Sequence, residues 1–330
     1  MSDKNIEEVI PPFEWASEQT YRACIQAWMH NFRLNLPRIW KDPQVCDLPK
    51  KEKQPCLVIG AGPSLSKFHH LSMIAKSGWK HPILVCDKVF KSALDFKLKP
   101  YVVASVDASP LVAGFYESTK ISKVAPDVNA VFAVTVHPKV VKAWRRKIYW
   151  FVPMIDQVQK LQDRSLTYLL CLISGHNGTM SGIGNVGSFL WNASAELGCS
   201  PIILVGFDFS EQVKYKEQAV YWNHLVALFL KETGDLKKAQ EKAALLYQIE
   251  ENPDFQATFN DPPYYEKGKN VRYLVNPIWK GYQRQLKAHI ESSGIYTVNC
   301  TNNGCLHTGM IKCPNFEAMP LKTALEKFNV

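Results

Sequence analysis

One short turn combines four residues whose types and spacing favour binding of an anion. They are Gly60, Gly62, Pro63 and Ser64. They follow the apolar run Leu57-Val-Ile59, which is typical of a buried parallel strand. The glycines permit a tight turn, and a proline suits the first position of a helix, where the missing N–H costs nothing. The amides of such a helix end, with the nearby hydroxyl, favour a phosphate or diphosphate. The alternative is a turn that serves the fold alone.

The turn differs from the two common nucleotide-binding motifs. A dinucleotide-binding G-x-G-x-x-G sequence requires glycine at position 65, where this chain has Leu65. Lys67 follows, but the G-x-x-x-x-G-K-[ST] sequence of a P-loop is not satisfied. The motif therefore disfavours nicotinamide chemistry and ordinary P-loop ATPase chemistry.

Three carboxylates stand where apolar runs end, in positions suited to a divalent cation. Asp87, Asp107 and Asp208 each follow a short aliphatic run that predicts a strand. Ligands collect at the carboxyl ends of parallel strands, so we expect these side chains beside the glycine turn, where they can hold a cation against a phosphate. The alternative for each carboxylate is to cap the helix that follows.

A second small-residue segment occupies residues 181–188 and precedes a predicted helix over residues 189–197. The backbone N–H groups around Gly184, Asn185 and Ser188 lie at the start of this helix, where they would favour binding of an anion. The alternative is that the glycines only let this helix pack closely against the sheet.

The elements that must position these groups alternate between strands and helices. They predict an α/β fold with a Rossmann-like open, mostly parallel sheet and helices on both faces. The predicted organisation is an N-terminal helical segment over residues 1–50, a Rossmann-like core over residues 51–212, and a C-terminal α/β extension over residues 213–330. This extension combines a helical lid or insertion with a strand that returns to the core.

Within the flanking segments, apolar periodicity predicts further elements. In chain order these are a helix over residues 13–40, a helix over residues 212–248, a loop-rich insertion over residues 250–272, a helix over residues 279–292 and a strand over residues 295–299. His224 would lie in a lid or acceptor pocket, or serve packing alone. Asn299 and Thr301 are secondary candidates for ligand contact.

Composition fits a soluble enzyme. The 330 residues are 46% hydrophobic, and no apolar run reaches the length needed to cross a bilayer, so we expect a cytoplasmic protein. The net charge of +9 suits phosphorylated ligands. The basic clusters lack the interleaved aromatic residues of a nucleic-acid-binding motif, which disfavours nucleic acid as a partner. Arg145 or Arg146 could instead reach a phosphate group of a small ligand. We expect a nucleotide and a small acceptor as partners, with a homo-oligomer as a further possibility through the long N-terminal helix.

The nine cysteines contain no C-x-x-C pair, which disfavours a zinc ribbon or a thioredoxin-type centre. Cys300, Cys305 and Cys313 lie near His307, which leaves two interpretations open, a metal site or an ordinary loop.

The combined motifs resemble one known family. Four segments are similar to the 6-hydroxymethylpterin diphosphokinase MptE-like family. They are the Gly60-Ala-Gly-Pro-Ser-Leu65 sequence, the strand before Asp107, residues 181–188 and the Leu204-Val-Gly-Phe-Asp208 sequence. The resemblance covers about residues 56–212. The same pattern is shared more distantly with bacterial motility accessory factors and one class of sialyltransferases, and residues 296–304 are similar to the tail of the motility accessory factors.

The resemblance implies a magnesium-dependent transfer of diphosphate from ATP to 6-hydroxymethyl-7,8-dihydropterin or a similar small acceptor. By motif, the positions that hold nucleotide phosphates would be Gly60, Gly62, Pro63 and Ser64. Asp107 and Asp208 would bind metal or substrate. Either Asp87 or His137 would take the proton from the attacking hydroxyl, and the sequence does not choose between them. Two alternatives stay open: a glycosyltransferase that uses a sugar nucleotide, and a non-catalytic nucleotide-binding protein.

Overall fold

The computed structural model describes residues 13–117, 119, 126–156, 165–176, 178–181, 184–212, 215–256, 270–275, 277–309, 311 and 313–329. Its strands are β1 (Cys56–Ile59), β2 (Ile83–Cys86), β3 (Val102–Ser105), β4 (Asn129–Ala133), β5 (Ile148–Pro153), β6 (Thr179–Met180), β7 (Ile202–Val205), β8 (Glu211–Gln212), β9 (Gln248–Gln256), β10 (Asn270–Val275), β11 (Thr297–Asn299) and β12 (Phe316–Ala318).

Its helices are α1 (Phe13–Ile39), α2 (Ser64–Lys67), α3 (His70–Ser77), α4 (Asp87–Asp95), α5 (Ala113–Glu117), α6 (Pro138–Trp144), α7 (Leu166–Ser174), α8 (Val186–Glu196), α9 (Tyr215–Thr233), α10 (Leu236–Leu246), α11 (Pro277–Ser293) and α12 (Leu321–Phe328). Two single turns of 3-10 helix lie at Val45–Asp47 and Pro110–Val112.

A nine-stranded sheet forms the centre of the molecule, in the order β12-β11-β7-β1-β2-β3-β4-β5-β6. Every neighbouring pair in it is parallel. All residues of β1, β2, β3 and β7 are buried, as expected for parallel strands covered by helices. α4 and α8 pack against the middle of the sheet. The predicted Rossmann-like fold class is confirmed.

The predicted N-terminal helix is present as α1, and two asparagines on one of its faces anchor it to the sheet. The Asn31 amide donates to the carbonyl oxygens of Ala108 and Thr135, both at 3.1 Å. The Asn35 amide donates to the carbonyls of Val134 and Val136 at 3.2 and 2.8 Å. Both asparagines are buried, so α1 fixes the loops that follow β3 and β4.

The prediction of a loop-rich insertion over residues 250–272 is wrong at both of its ends. Residues up to 256 belong to β9 and those from 270 onward to β10, and β10 pairs antiparallel with β9 and with β8 in a separate three-stranded sheet. The pairing is irregular between Asn270 and Val271, which pair with Gln256 and Asn252 respectively. This irregularity leaves Pro253 outside the ladder, so its missing N–H does not interrupt the pairing.

The single helix predicted over residues 212–248 is two helices, α9 and α10. Gly234 takes φ +63° between them, and the Asp235 side chain caps α10 by accepting from the Lys238 N–H at 3.1 Å. The two helices share a small hydrophobic cluster that includes Leu225 and Phe229. The larger core extends from Phe32 in α1 to Leu325 in α12. None of the described helices is long and apolar enough to cross a membrane.

Candidate functional site

A cavity of about 990 Å³ opens at the carboxyl ends of the central strands. In the sheet, β2 to β6 lie on one side of β1, whereas β7, β11 and β12 lie on its other side. The direction in which the strands follow one another therefore reverses between β1 and β7. Ligands of open α/β sheets bind in the crevice outside such a reversal. The glycine turn after β1 and the residues 206–210 after β7 both line the cavity.

The glycine turn is bound directly to the end of β7. The Gly60 N–H donates to the Val205 carbonyl at 2.8 Å, and the Gly62 N–H donates to the Gly206 carbonyl at 3.0 Å. A Cβ atom on Gly62 would lie 1.8 Å from Asp208 Oδ2, so only glycine fits there. The glycines thus allow two strand ends to meet, and their own amides are already paired. The helix after the turn, α2, has a single turn.

Asp208 joins the glycine turn to the C-terminal part of the chain. Its Oδ2 accepts from the Ser64 hydroxyl at 2.7 Å, and its Oδ1 accepts from the Asn303 amide at 2.5 Å. Asn303 in turn accepts at Oδ1 from the Tyr273 hydroxyl at 2.7 Å. Burial raises the pKa of Asp208, while the hydrogen bonds from Asn303 and Ser64 and the charge of Lys67 act in the opposite direction. Only 2% of Asp208 is exposed, so its carboxylate holds three segments together beneath the cavity.

Asp87 is a buried carboxylate at the start of α4 and lines the cavity. It accepts at Oδ2 from the Ser105 hydroxyl at 2.7 Å and at Oδ1 from the Lys88 N–H at 2.8 Å. Burial raises the pKa of Asp87 to about 6, with a further contribution from the charge of Asp107, and the two hydrogen bonds oppose the shift. A carboxylate of this kind changes its protonation state close to neutral pH.

Asp107 is the exposed carboxylate of the cavity. Its Oδ1 accepts from the Ser109 N–H at 2.8 Å, which makes it part of a tight turn after β3. The next residue, Ala108, is held by Asn31 of α1 through its carbonyl. Tyr282 of α11 lines the same cavity, and burial, with a smaller contribution from the Asp107 charge, raises the pKa of its hydroxyl.

The second small-residue segment contributes Asn185 to the cavity wall but not Gly184 or Ser188. Asn185 caps α8: its Oδ1 accepts from the Ser188 N–H and its Nδ2 donates to the Ser188 hydroxyl, both at 2.9 Å. Gly184 has φ +69°, and a Cβ there would lie 1.9 Å from the ring of Tyr282. The segment therefore allows close packing of α11. Residues 182 and 183 lie outside the described part of the chain.

Several cavity residues were not predicted as site residues. They include Lys67 and Lys88, the aromatic residues Phe115, Trp279 and Tyr282, and the amide Asn303. Lys67 follows the glycine motif closely in the sequence, and its ammonium lies 3.4 Å from Asn303 Oδ1. Trp279 and Tyr282 are three residues apart on α11, so both face the same side of that helix. That spacing is the signal that could have found them.

Other candidate residues lie away from the cavity. His137 caps α6 by accepting at Nδ1 from the Lys139 N–H at 3.3 Å, and His224 is exposed on α9. Asn299 donates to the Leu306 carbonyl at 2.7 Å, within the segment that follows β11. Thr301 accepts from the Phe207 N–H at 3.1 Å and so braces the segment that follows β7. Further candidates outside the cavity wall are Arg145, Arg146, Cys300, Cys305, Cys313 and His307. Among the described residues, no three or more histidine, cysteine or acidic side chains are arranged to hold a metal.

Comparison with known proteins adds a family and a fold. The sequence profile of the family described as 6-hydroxymethylpterin diphosphokinase MptE-like matches residues 30–214. No curated protein matches the sequence. Among solved structures, the MAf glycosyltransferase from Magnetospirillum magneticum AMB-1 has a similar fold, with a TM-score of 0.52 and 11% sequence identity. The similarity covers 91% of this chain and 40% of the other, so the chain spans less than half the length of that protein.

Proposed function

The chain belongs to the 6-hydroxymethylpterin diphosphokinase MptE-like family, a family of transferases by description, and from this membership we propose a magnesium-dependent diphosphokinase activity. In this proposal ATP donates a diphosphate group to 6-hydroxymethyl-7,8-dihydropterin or a similar small hydroxymethyl compound. The observation that carries it is the position of the glycine motif. It lies where the strand order reverses, facing a cavity large enough for a nucleotide and a small acceptor.

The donor phosphates are assigned to the glycine-turn side of the cavity. Ala61 is exposed at the tip of the turn, and its N–H has no partner among the described residues. Lys67 follows, exposed and in the cavity wall, and supplies an ammonium. Ser66 also lies in the wall, but its hydroxyl donates to the Pro63 carbonyl at 3.1 Å. The N–H groups of Gly60 and Gly62 donate to the end of β7, and the Ser64 hydroxyl donates to Asp208. These three residues are therefore assigned to shaping the surface and not to contacting phosphate.

The acceptor is assigned to the part of the cavity wall that is formed by Asp87 and the aromatic rings. Planar rings stack readily on Trp279 and Tyr282. The acceptor oxygen would attack the β-phosphorus, the bond from that phosphorus to the oxygen shared with the α-phosphate would break, and AMP would leave. Asp87, with a pKa of about 6, is deprotonated at neutral pH and is the proposed base for the hydroxyl proton. Its position in the cavity favours it over His137.

The proposed activity assigns magnesium to one carboxylate rather than two. Mg²⁺ is usually held by one or two protein carboxylates together with substrate phosphates, and Asp107 offers an exposed carboxylate on the cavity wall. Asp208 is assigned a structural role, because its two oxygens join Ser64 after the glycine turn to Asn303 in the C-terminal part of the chain. When bound, the ion would neutralise charge on the transferred group.

Calorimetric titration of ATP with and without Mg²⁺ tests the proposal, followed by an assay of AMP release with 6-hydroxymethyl-7,8-dihydropterin. We expect Lys67→Met to weaken ATP binding about tenfold, and Asp107→Asn to remove the dependence of binding on Mg²⁺. Lys91→Met is the matched control, because Lys91 is exposed on α4, pairs with Asp95 and lies outside the cavity wall. Absence of ATP binding in both conditions would refute the diphosphokinase.

A glycosyltransferase that uses a sugar nucleotide is the second candidate. The observation that favours it is the extent of the fold similarity, which covers 91% of the chain and so continues beyond residue 214, where the family match ends. Titration with CMP- and UDP-sugars under the same conditions separates the two candidates. Tighter binding of a sugar nucleotide than of ATP would favour the glycosyltransferase, and binding without turnover of either donor would favour a non-catalytic nucleotide-binding protein.

A further inference from the structure

The helix α7 is apolar on its outer face as well as on its inner face. Its sequence, Leu-Thr-Tyr-Leu-Leu-Cys-Leu-Ile-Ser, has no charged residue. Leu166 and Leu170 are buried on the inner side, where the helix packs against β5. A surface helix normally presents polar side chains outward. α7 instead exposes four large apolar residues: Tyr168 by 46%, Leu169 by 39%, Leu172 by 65% and Ile173 by 45%.

Two neighbouring residues enlarge this apolar surface. Trp40 is 63% exposed, and its indole N–H donates to the Ile173 carbonyl at 3.1 Å, which places the ring against the end of α7. Met154 is 49% exposed at the end of β5. The next residue, Ile155, donates its N–H to the Thr167 hydroxyl of α7 at 2.9 Å. We define the α7 face as Trp40, Met154, Tyr168, Leu169, Leu172 and Ile173.

The α7 face is large enough to form the centre of a protein interface. A fully exposed large side chain presents about 200 Å², so the six residues at their exposed fractions present roughly 600 Å². That is at the upper limit of the largest apolar patch on a typical monomer. A standard interface buries about 800 Å² on each partner, much of it in a polar rim around an apolar centre.

We propose that the α7 face joins two copies of this chain in a symmetric dimer. The chain carries a net charge of +9, so two copies repel one another at long range, and the α7 face adds no charge to the contact because none of its six residues is charged. A two-fold axis places the same patch on both partners, and an apolar patch is complementary to itself. No residue of the α7 face lines the cavity, so the dimer leaves both cavities open.

Sedimentation velocity of the full chain over a range of concentrations tests the dimer. Leu172→Arg places a charge at the most exposed position of the α7 face, and we expect it to weaken dimerisation at least a hundredfold. Tyr168→Lys should act in the same direction. Leu236→Arg is the matched control, since Leu236 is 54% exposed at the start of α10, outside the α7 face, and this variant should remain dimeric. Circular dichroism and thermal unfolding verify that the variants are folded.

The salt dependence provides an independent readout. An apolar contact between two basic chains should tighten as NaCl rises, because screening weakens their repulsion. A wild-type chain that stays monomeric at 100 µM (about 4 mg/mL) would overturn the proposal. A dimer that persists in both α7 variants would also overturn the proposal, and so would a dimer that dissociates as salt is added. Each of these results would place the contact on another surface.

Discussion

The substitution Gly62→Ala tests how the site is held together. A Cβ at this position would lie 1.8 Å from Asp208 Oδ2 and 2.7 Å from the Gly206 carbonyl oxygen. Neither atom is the end of a long flexible side chain, so the added methyl group must displace the Asp208 carboxylate. Displacement breaks its hydrogen bonds from Ser64 and Asn303.

The magnitude follows from those two bonds. A hydrogen bond to a charged group contributes about 1.5–3 kcal/mol, so losing both lowers the free energy of unfolding by about 3–6 kcal/mol. A change of 1 kcal/mol shifts the unfolding temperature of a large domain by about 2 °C, which predicts a fall of roughly 6–12 °C for Gly62→Ala. The mutation should also weaken ATP binding, because the turn that lines the cavity is displaced with the carboxylate.

Differential scanning calorimetry with Gly114→Ala as the control measures this effect. Gly114 is exposed within α5, and a Cβ there meets no atom within 4 Å, so alanine should stabilise the helix by about 0.5–1 kcal/mol. Opposite signs for the two alanines are therefore expected. The loss of a single hydrogen bond to a charged group would lower the unfolding temperature by more than about 2 °C. If the unfolding temperature of Gly62→Ala lies within about 2 °C of the wild type, the close contact with Asp208 is not maintained in solution and the reasoning fails.

Three further predictions concern single contacts. The folded chain raises the pKa of Asp87 from 3.8 to about 6, so folding favours its protonated form. The free energy of unfolding should therefore fall by about 2 kcal/mol between pH 4 and pH 7, and urea titrations of Asp87→Asn should show that much less decline. Asn185→Ala removes the cap on the Ser188 N–H and should cost about 1 kcal/mol in urea unfolding, whereas Asn185→Asp should retain the cap. Tyr273→Phe removes the hydroxyl that donates to Asn303 and should cost about 1 kcal/mol; unchanged stability would show that this hydroxyl does not hold Asn303.

The fold was predictable because its signals are local. The apolar run of β1, the glycines after it and the apolar runs before Asp87 and Asp208 each span only a few residues, and each determines a strand or a turn. Their common position follows from a general property of parallel sheets. The antiparallel sheet of β8, β9 and β10 was missed because its pairing is non-local and Pro253 resembles a strand breaker.

The partners of the site residues were not predictable in the same way. Ser64 and Asn303 are separated from Asp208 by 144 and 95 residues, and no local pattern indicates that they share one carboxylate. The sequence therefore identified Asp208 as a site residue without showing that its oxygens are engaged within the protein. The same limitation applies to Tyr282, whose helix was predicted but whose packing on Gly184 was not.

The pairing of β1 with β7 has a consequence for biosynthesis. Cys56 pairs with Ile202, and on the far side of β7 Ile202 pairs with Thr297, so the middle of the sheet is assembled from the beginning and the end of the chain. During translation, residue 303 must emerge from the ribosome before Asp208 can accept its second hydrogen bond, which comes from Asn303. Nascent chains that end before α11 contain β1 to β5 but lack Trp279, Tyr282 and Asn303 of the cavity wall. The cavity wall therefore forms late in synthesis, and contacts over such long separations slow folding.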